Sequence, residues 1–330
     1  DSQYYVSKYR TFYEGTVLPY IDKHKIDTII CLGDTFDRRK YVNFHSLDAA
    51  KEMWFDPLRE RGVHMYMLIG NHDIYYKNTL RVNSPELLLS EYSNIDVVSN
   101  PRELSISGCD FLLLPWICDE NRAESLKSIE ESTAGICLGH LELNGFEAVP
   151  GHTMEHGDDP SIFDKFDLVC SGHFHMKSRK KNIQYLGNPY QLYWNDYGLE
   201  RGFHILNNNG SLTFHKNPFD TFHKIYYNDD VSLSPVDIKN LEGMYVKVIV
   251  EEKKDQVKFD SLVRRLQAAD LADLKIIEDM TYELDDVDDV EIEDTLTILE
   301  LSLIHISEPT RLLSISYGVV WVEKKKGGGG

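Results

Sequence analysis

Apolar residues recur at helical spacing through Tyr5, Tyr9, Phe12, Tyr13, Val17, Tyr20 and Ile21, which predicts an amphipathic helix at the start of the chain. From residue 27 to about 171, short apolar runs alternate with amphipathic stretches such as 46–61 and 121–132, so strands alternate with helices and the domain is α/β. Several of the runs are apolar throughout, as expected of strands covered on both faces. At 201–215 the pattern changes to a hairpin, GFHILNNNGSLTFH, whose Asn-Asn-Gly supplies the positive φ angles of the turn. Beyond a polar stretch at 228–235, residues 244–250 read as a strand, 258–269 as an amphipathic helix and the neighbourhood of Lys275 as another strand. These predict a small α+β unit. The organisation is therefore a larger domain at 1–227 and a smaller one at 228–300, with no internal repeat.

The two ends change this picture. The opening helix looks as if a strand should precede it, so we expect a truncated N-terminus. Residues 301–311, LSLIHISEPTR, resemble the translation of a sequencing-library adapter. Residues 314–322 taken alone read as a β-strand rich in β-branched and aromatic side chains, but 301–330 is set aside from the fold as adapter-derived.

The formal charge is −19 over 330 residues, and without that tail the chain is more acidic still. Such a field repels nucleic acid and anionic membrane, which argues against a DNA-coating protein while allowing a local basic patch. The acidic stretch 278–294 reads as a solvated linker. No apolar run approaches the ~20 residues of a membrane span. The five cysteines are odd in number and lack C-x-x-C spacing, which suits a reduced, cytoplasmic protein.

Candidate chemistry lies where four apolar strands end in glycine followed by a metal-competent residue. They are DTIICLGD (Asp34), MYMLIGNHD (Asn71, His72, Asp73), AGICLGH (His140) and DLVCSGHFH (His173, His175). In an open α/β sheet, ligands gather beyond the carboxyl ends of strands, and glycine lets the backbone turn and approach an ion closely. Oxygen and imidazole donors without thiolate suit Mn²⁺, Fe²⁺ or Zn²⁺ in an enzyme better than a structural zinc. Each motif alone reads more readily as a turn; four together point to a metal centre. The remaining histidines have no such context and are expected to be structural.

The ordered set G-D-x-F-D, G-N-H-D, G-H and G-H-F-H resembles the calcineurin-like metallophosphoesterases. G-D-T-F-D-R-R-K, G-N-H-D-I-Y-Y-K, L-P-W-I-C and G-H-L-E-L-N-G-F are further similar to the SbcD-type DNA exonuclease subunits of tailed bacteriophages. The resemblance spans roughly residues 1–300. It implies a four-layer α/β/β/α sandwich with a capping domain and two divalent ions, manganese foremost. It also implies that Asp34 bridges the ions, that Asn71, His140 and His173 bind the second and that His175 binds the first. His72 would be the general acid or transition-state donor, with Asp73 as its partner behind the ligands. The family's D-x-H motif, two ligands to the first ion, is absent, so this chain as written is expected to be inactive.

The implied activity is phosphodiester hydrolysis on DNA in recombination, repair and phage replication. Its setting would be a homodimer working with an SMC-like ATPase in the cytoplasm of a bacterial host. Two basic clusters follow ligand motifs, Arg38, Arg39 and Lys40, then Lys177, Arg179, Lys180 and Lys181, and are candidates to line the phosphate path. A small-molecule metallophosphatase would present the same ligands, and a non-catalytic assembly subunit would lack D-x-H in its complete gene.

Overall fold

The structure is a computed structural model that describes residues 3–149, 151–207 and 209–278 and the backbone of 319–322. In chain order the strands are β1 (Thr28–Cys31), β2 (His64–Leu68), β3 (Ile95–Val98), β4 (Arg102–Ile106), β5 (Cys109–Leu114), β6 (Ile136–Gly139), β7 (Glu147–Val149) and β8 (His152–Thr153). They continue with β9 (Leu168–Ser171), β10 (Ser178–Lys180), β11 (Ile183–Tyr185), β12 (Gly202–Leu206), β13 (Leu212–Lys216), β14 (Phe222–Tyr227), β15 (Tyr245–Val250), β16 (Asp273–Ile277) and β17 (Val319–Val322).

The larger unit, made of residues 9–190, 200–219 and β17, holds two six-stranded sheets ordered β13-β12-β17-β1-β2-β3 and β10-β11-β9-β6-β5-β4. Strands β1, β2 and β3 are parallel, as are β5, β6, β9 and β11. The alternation of side chains along each strand then sorts the core into layers. Ile30, Leu32 and Leu68 of the first sheet meet Phe111, Leu113, Leu138 and Cys170 of the second between the sheets. The opposite face of the second sheet, with Leu112, Leu114, Cys137 and Val169, packs on Ile129 of the helix Arg122–Glu131. On the outer face of the first sheet, Phe203 of β12 meets Phe12 and Tyr20 from the first helical run. The result is the four-layer α/β/β/α sandwich.

Both long helices on the first sheet contain a π turn. Tyr13–Val17 joins Gln3–Phe12 to Leu18–His24, and Lys51–Phe55 joins Phe44–Ala50 to Asp56–Glu60. Each inserts one wider turn, and there the buried rings of Tyr13 and Trp54 meet with centroids 4.7 Å apart. The expected hairpin is present as β12 and β13, with Gly210 at φ 78° in its turn.

The exclusion of 319–322 from the fold needs correcting: β17 sits between β1 and β12, antiparallel to the first and parallel to the second. Its β-branched sequence suits a strand bonded on both edges. The adapter-like segment 301–311 and the acidic stretch beyond Glu278 lie outside the described residues.

The smaller unit comprises 3–8, 191–199 and 220–278 among the described residues. Its parallel strands β14-β15-β16 alternate with the helices Pro235–Asn240 and Gln256–Gln267. Strand β14 belongs here although the sequence division at 227 assigns it to the larger domain. Pairing with β15 buries Ile225 and Tyr227 against Val246, Val248 and Phe259. Ser234 and Asp237 form a capping box at the first of these helices.

His204 in β12 is buried, and burial, reinforced by nearby Lys177, lowers its pKa from 6.5 to about 3. The folded protein thus holds it neutral while the unfolded chain protonates below about pH 6.5, so the unfolded state binds the extra proton. Stability from this group is complete above pH 6.5 and declines as pH falls towards 3, by at most ~1.4 kcal/mol per pH unit. Urea unfolding at pH 7 and pH 5 should show this decline, and His204→Leu should flatten it.

Candidate metal centre

Strands β1, β2 and β6 each run into a loop carrying one predicted ligand and β9 into a loop carrying two, and their parallel directions within each sheet bring those loops to one edge. The loops approach so closely that side chains would not fit. A Cβ on Gly70 would lie 2.2 Å from Asp34 Oδ1, and one on Gly33 would lie 2.5 Å from His140 Nδ1. Asp34 and His173 themselves adopt left-handed backbone angles, φ 56° and 75°. Such conformations cost energy unless the surroundings enforce them, and they are typical of functional sites.

The geometry converges on one point. Asp34 Oδ2 lies 3.2 Å from His140 Nε2, and Asn71 Oδ1 lies 2.9 Å from His140 Nε2 and 3.0 Å from His173 Nδ1. The ligand atoms of Asp34, His140 and His173 all fall within 4.8 Å of one another, the one such group of His, Cys, Asp or Glu among the described residues. On its far side the His140 ring donates from Nδ1 to the Leu32 carbonyl at 2.6 Å, which leaves the Nε2 lone pair facing Asp34 and Asn71. Oxygen and nitrogen lone pairs therefore converge in a buried pocket, the donor set of a divalent cation.

Burial would raise the Asp34 carboxyl, but His140 and His72 outweigh it and hold Asp34 well below the usual carboxylate range. Burial would likewise lower the His140 pKa, but Asp34 outweighs it and raises it, so an entering cation would displace a proton from His140. Burial, reinforced by His140, keeps His173 well below its ordinary pKa and so neutral, as a ligand must be.

Asp73 is fully buried. Its carboxylate accepts from the backbone N–H of Asp34 (2.8 Å), Gly70 (2.9 Å) and Phe36 (3.2 Å), pinning the β1 loop to the β2 loop. Burial and neighbouring Asp34 push its pKa up to about 7. The sealed side chain braces the two loops and cannot itself meet a substrate.

His72 is half-buried, and its backbone N–H donates to Asp34 Oδ1 at 2.8 Å. Its Nδ1 donates to the Asp37 carbonyl at 2.7 Å, leaving Nε2 as the nitrogen for proton transfer. His175 lies outside the converging group, although its charge acts on His173.

The basic clusters are less uniform than their sequence suggests. Arg38 stacks on Tyr41 with its guanidinium carbon 5.0 Å from the ring centroid, and Lys40 is exposed. Lys177 is paired with Glu200 at 3.6 Å and Lys181 with Asp164 at 3.2 Å. Lys180 bonds the Gly145 carbonyl, and Arg179 donates to the Lys181 carbonyl at 3.4 Å. The second cluster is thus largely committed to protein partners.

One contributor went unrecognised from sequence. Trp116 packs on His173 with ring centroids 5.1 Å apart, and it joins Arg122, His140, Glu142 and Asp158 in lining a cavity of about 260 Å³. The D-x-H triplet upstream of Asp34, Asp22-Lys23-His24, ends a helix and not a strand. There Asp22 binds Arg61 at 2.8 Å and His24 stacks on Tyr20.

Comparison with known proteins supports this reading. The calcineurin-like phosphoesterase family matches residues 10–177, a span that contains every ligand named above. Exonuclease subunit 1 of Enterobacteria phage T4 is 33% identical over 287 residues, covering 86% of this chain and 82% of that protein.

Proposed function

This chain belongs to the calcineurin-like phosphoesterase family, and from that premise we propose that it is the nuclease subunit of a DNA exonuclease, hydrolysing phosphodiesters with manganese. The observation that carries this reading is the ligand cluster of Asp34, Asn71, His140 and His173 within a chain similar along most of its length to a phage exonuclease subunit.

Bound divalent ions would supply Lewis-acid activation of the phosphate and of water. The protein's part is positioning. Asp34 provides the negative charge that holds an ion, His140 and His173 complete its shell as neutral donors, and Asn71 adds a neutral oxygen. His72 presents Nε2 to the oxygen on which negative charge develops, as a hydrogen-bond donor or proton source. Trp116 closes one wall and limits water.

The same reading includes an SMC-like ATPase partner that opens the DNA, pairing of two copies of this chain, and a role in recombination, repair and replication of phage DNA. His175 would serve a first ion together with a strand ending in D-x-H.

The test is Mn²⁺-dependent hydrolysis of an end-labelled DNA duplex and of bis(4-nitrophenyl) phosphate. We expect Mn²⁺ to bind at the cluster of Asp34, Asn71, His140 and His173, and both diesters to be hydrolysed faster with Mn²⁺ than in EDTA. Hydrolysis of a phosphomonoester but of neither diester would overturn the proposal in favour of a phosphatase. Metal binding without any turnover would point to an assembly role.

A further inference from the structure

The two loops that carry Asp34 and His72 continue into exposed tyrosines. Tyr41 is 60% exposed, Tyr75 42% and Tyr76 54%. Large apolar or aromatic side chains left in water side by side mark a surface that meets something. Here they are interleaved with positive charge, as Arg38-Arg39-Lys40-Tyr41 and Tyr75-Tyr76-Lys77. The metal centre fixes their location. His72 Nδ1 bonds the Asp37 carbonyl, so the loops touch beside the ligands. Tyr41 is four residues beyond that contact on one side and Tyr75 three on the other, which places each within ~14 Å of it by chain length alone.

The rings are arranged for stacking. Tyr75 and Tyr76 meet edge to face with centroids 4.7 Å apart, and Arg38 lies over Tyr41, so the rings are held rather than swinging. Next to Tyr76 a cleft of about 510 Å³ is lined by Asn78, Thr79, Arg81, Asp119 and Glu120. Its acidic groups disfavour phosphate but can accept from the amino groups of bases. Arg81 is tied to Glu120 at 2.8 Å, which offsets part of that charge. Aromatic rings beside a basic strip recognise single-stranded nucleic acid, since every base offers a π face whatever its identity.

We propose that Tyr41, Tyr75 and Tyr76 form a stacking platform that holds unpaired nucleobases of the strand whose phosphodiester lies at the metal centre. The proposal rests on the nuclease reading and deepens it: the substrate is engaged as a frayed or single strand, with its bases out of the duplex. Phe44, 87% exposed nearby in sequence, lacks the polar edge of the tyrosines and is not included.

The test uses the full chain in EDTA, so that binding is read without cleavage. Affinity is measured for an oligothymidylate, for an abasic oligomer of the same length, which keeps the phosphates and removes the bases, and for a blunt duplex. The thymidylate should bind at least tenfold tighter than the abasic strand. The triple variant Tyr41→Leu, Tyr75→Leu, Tyr76→Leu should lose that advantage, its thymidylate binding weakening by at least tenfold to the level of the abasic strand, while its affinity for the abasic strand stays the same. Equal binding of abasic and thymidylate strands by the unaltered chain would overturn the proposal. So would a triple variant that keeps its preference for bases but changes its sedimentation, since the tyrosines would then serve contact between protein copies. Hydrolysis of bis(4-nitrophenyl) phosphate, which has no base to stack, is read in parallel on the full chain with Mn²⁺. Its absence counts against the nuclease reading alone, because base discrimination is measured separately.

Discussion

Asp34→Asn is expected to weaken Mn²⁺ binding at the centre by roughly 100-fold or more and to remove any metal-dependent hydrolysis with it. Asp34 supplies the one negative charge among four converging donors, since Asn71 is an amide and His173 is held neutral. Asparagine keeps the shape and tolerates the left-handed backbone that Asp34 adopts at φ 56°. Its amide oxygen can still accept from the His72 backbone N–H that now bonds Asp34 Oδ1. The variant therefore isolates charge from geometry. Isothermal titration with Mn²⁺ checks the prediction, and unchanged affinity would move the ion's anchor away from Asp34.

Asp73→Ala should produce the largest loss of stability of any single change at the site. Three backbone N–H groups, of Asp34, Phe36 and Gly70, would lose their acceptor in a place no solvent reaches. Each unpaired buried donor costs ~1–3 kcal/mol, so the total is about 3–9 kcal/mol. For a unit of this size that corresponds to a fall in melting temperature of roughly 10–20 °C. Metal affinity should fall as well, because the β1 and β2 loops would no longer be held in register. Thermal denaturation followed by circular dichroism, with and without Mn²⁺, measures both. Asp73→Asn, near-isosteric with aspartate but with one carbonyl oxygen left as acceptor, should recover only part of the loss, whereas a simple packing role for Asp73 predicts that it would recover nearly all of it.

The ligand set was legible because it depends on local pattern. A hydrophobic run that ends in glycine and a polar residue marks a strand's carboxyl end, and parallel strands then bring such ends together without any further information. Asp34, Asn71, His140 and His173 met for that reason. The fate of Asp73 was less legible: the motif placed it beside the ligands, but only the fold shows that its carboxylate faces backbone donors. Trp116 was hidden because it lies after β5, a strand with no ligand of its own, and it reaches His173 through the sheet order.

The basic residues illustrate a different limit. Charge runs are visible in sequence, but their partners are distant: Lys177 found Glu200 and Lys181 found Asp164. The smaller unit was legible as strands and helices, whereas the membership of β14 depends on its pairing with β15, which local pattern does not encode.

Three of the ligand strands also carry a cysteine three residues before the ligand: Cys31 before Asp34, Cys137 before His140 and Cys170 before His173. All three thiols are buried and free of disulfides, and burial pushes their pKa values upward, that of Cys170 to about 12. The thiolate is the form that reacts with peroxides and captures soft ions such as cadmium or mercury. Held neutral and out of solvent, these sulfurs leave only oxygen and nitrogen donors for whatever enters the centre. The same burial that makes these strands thus keeps thiolate out of the candidate ion site.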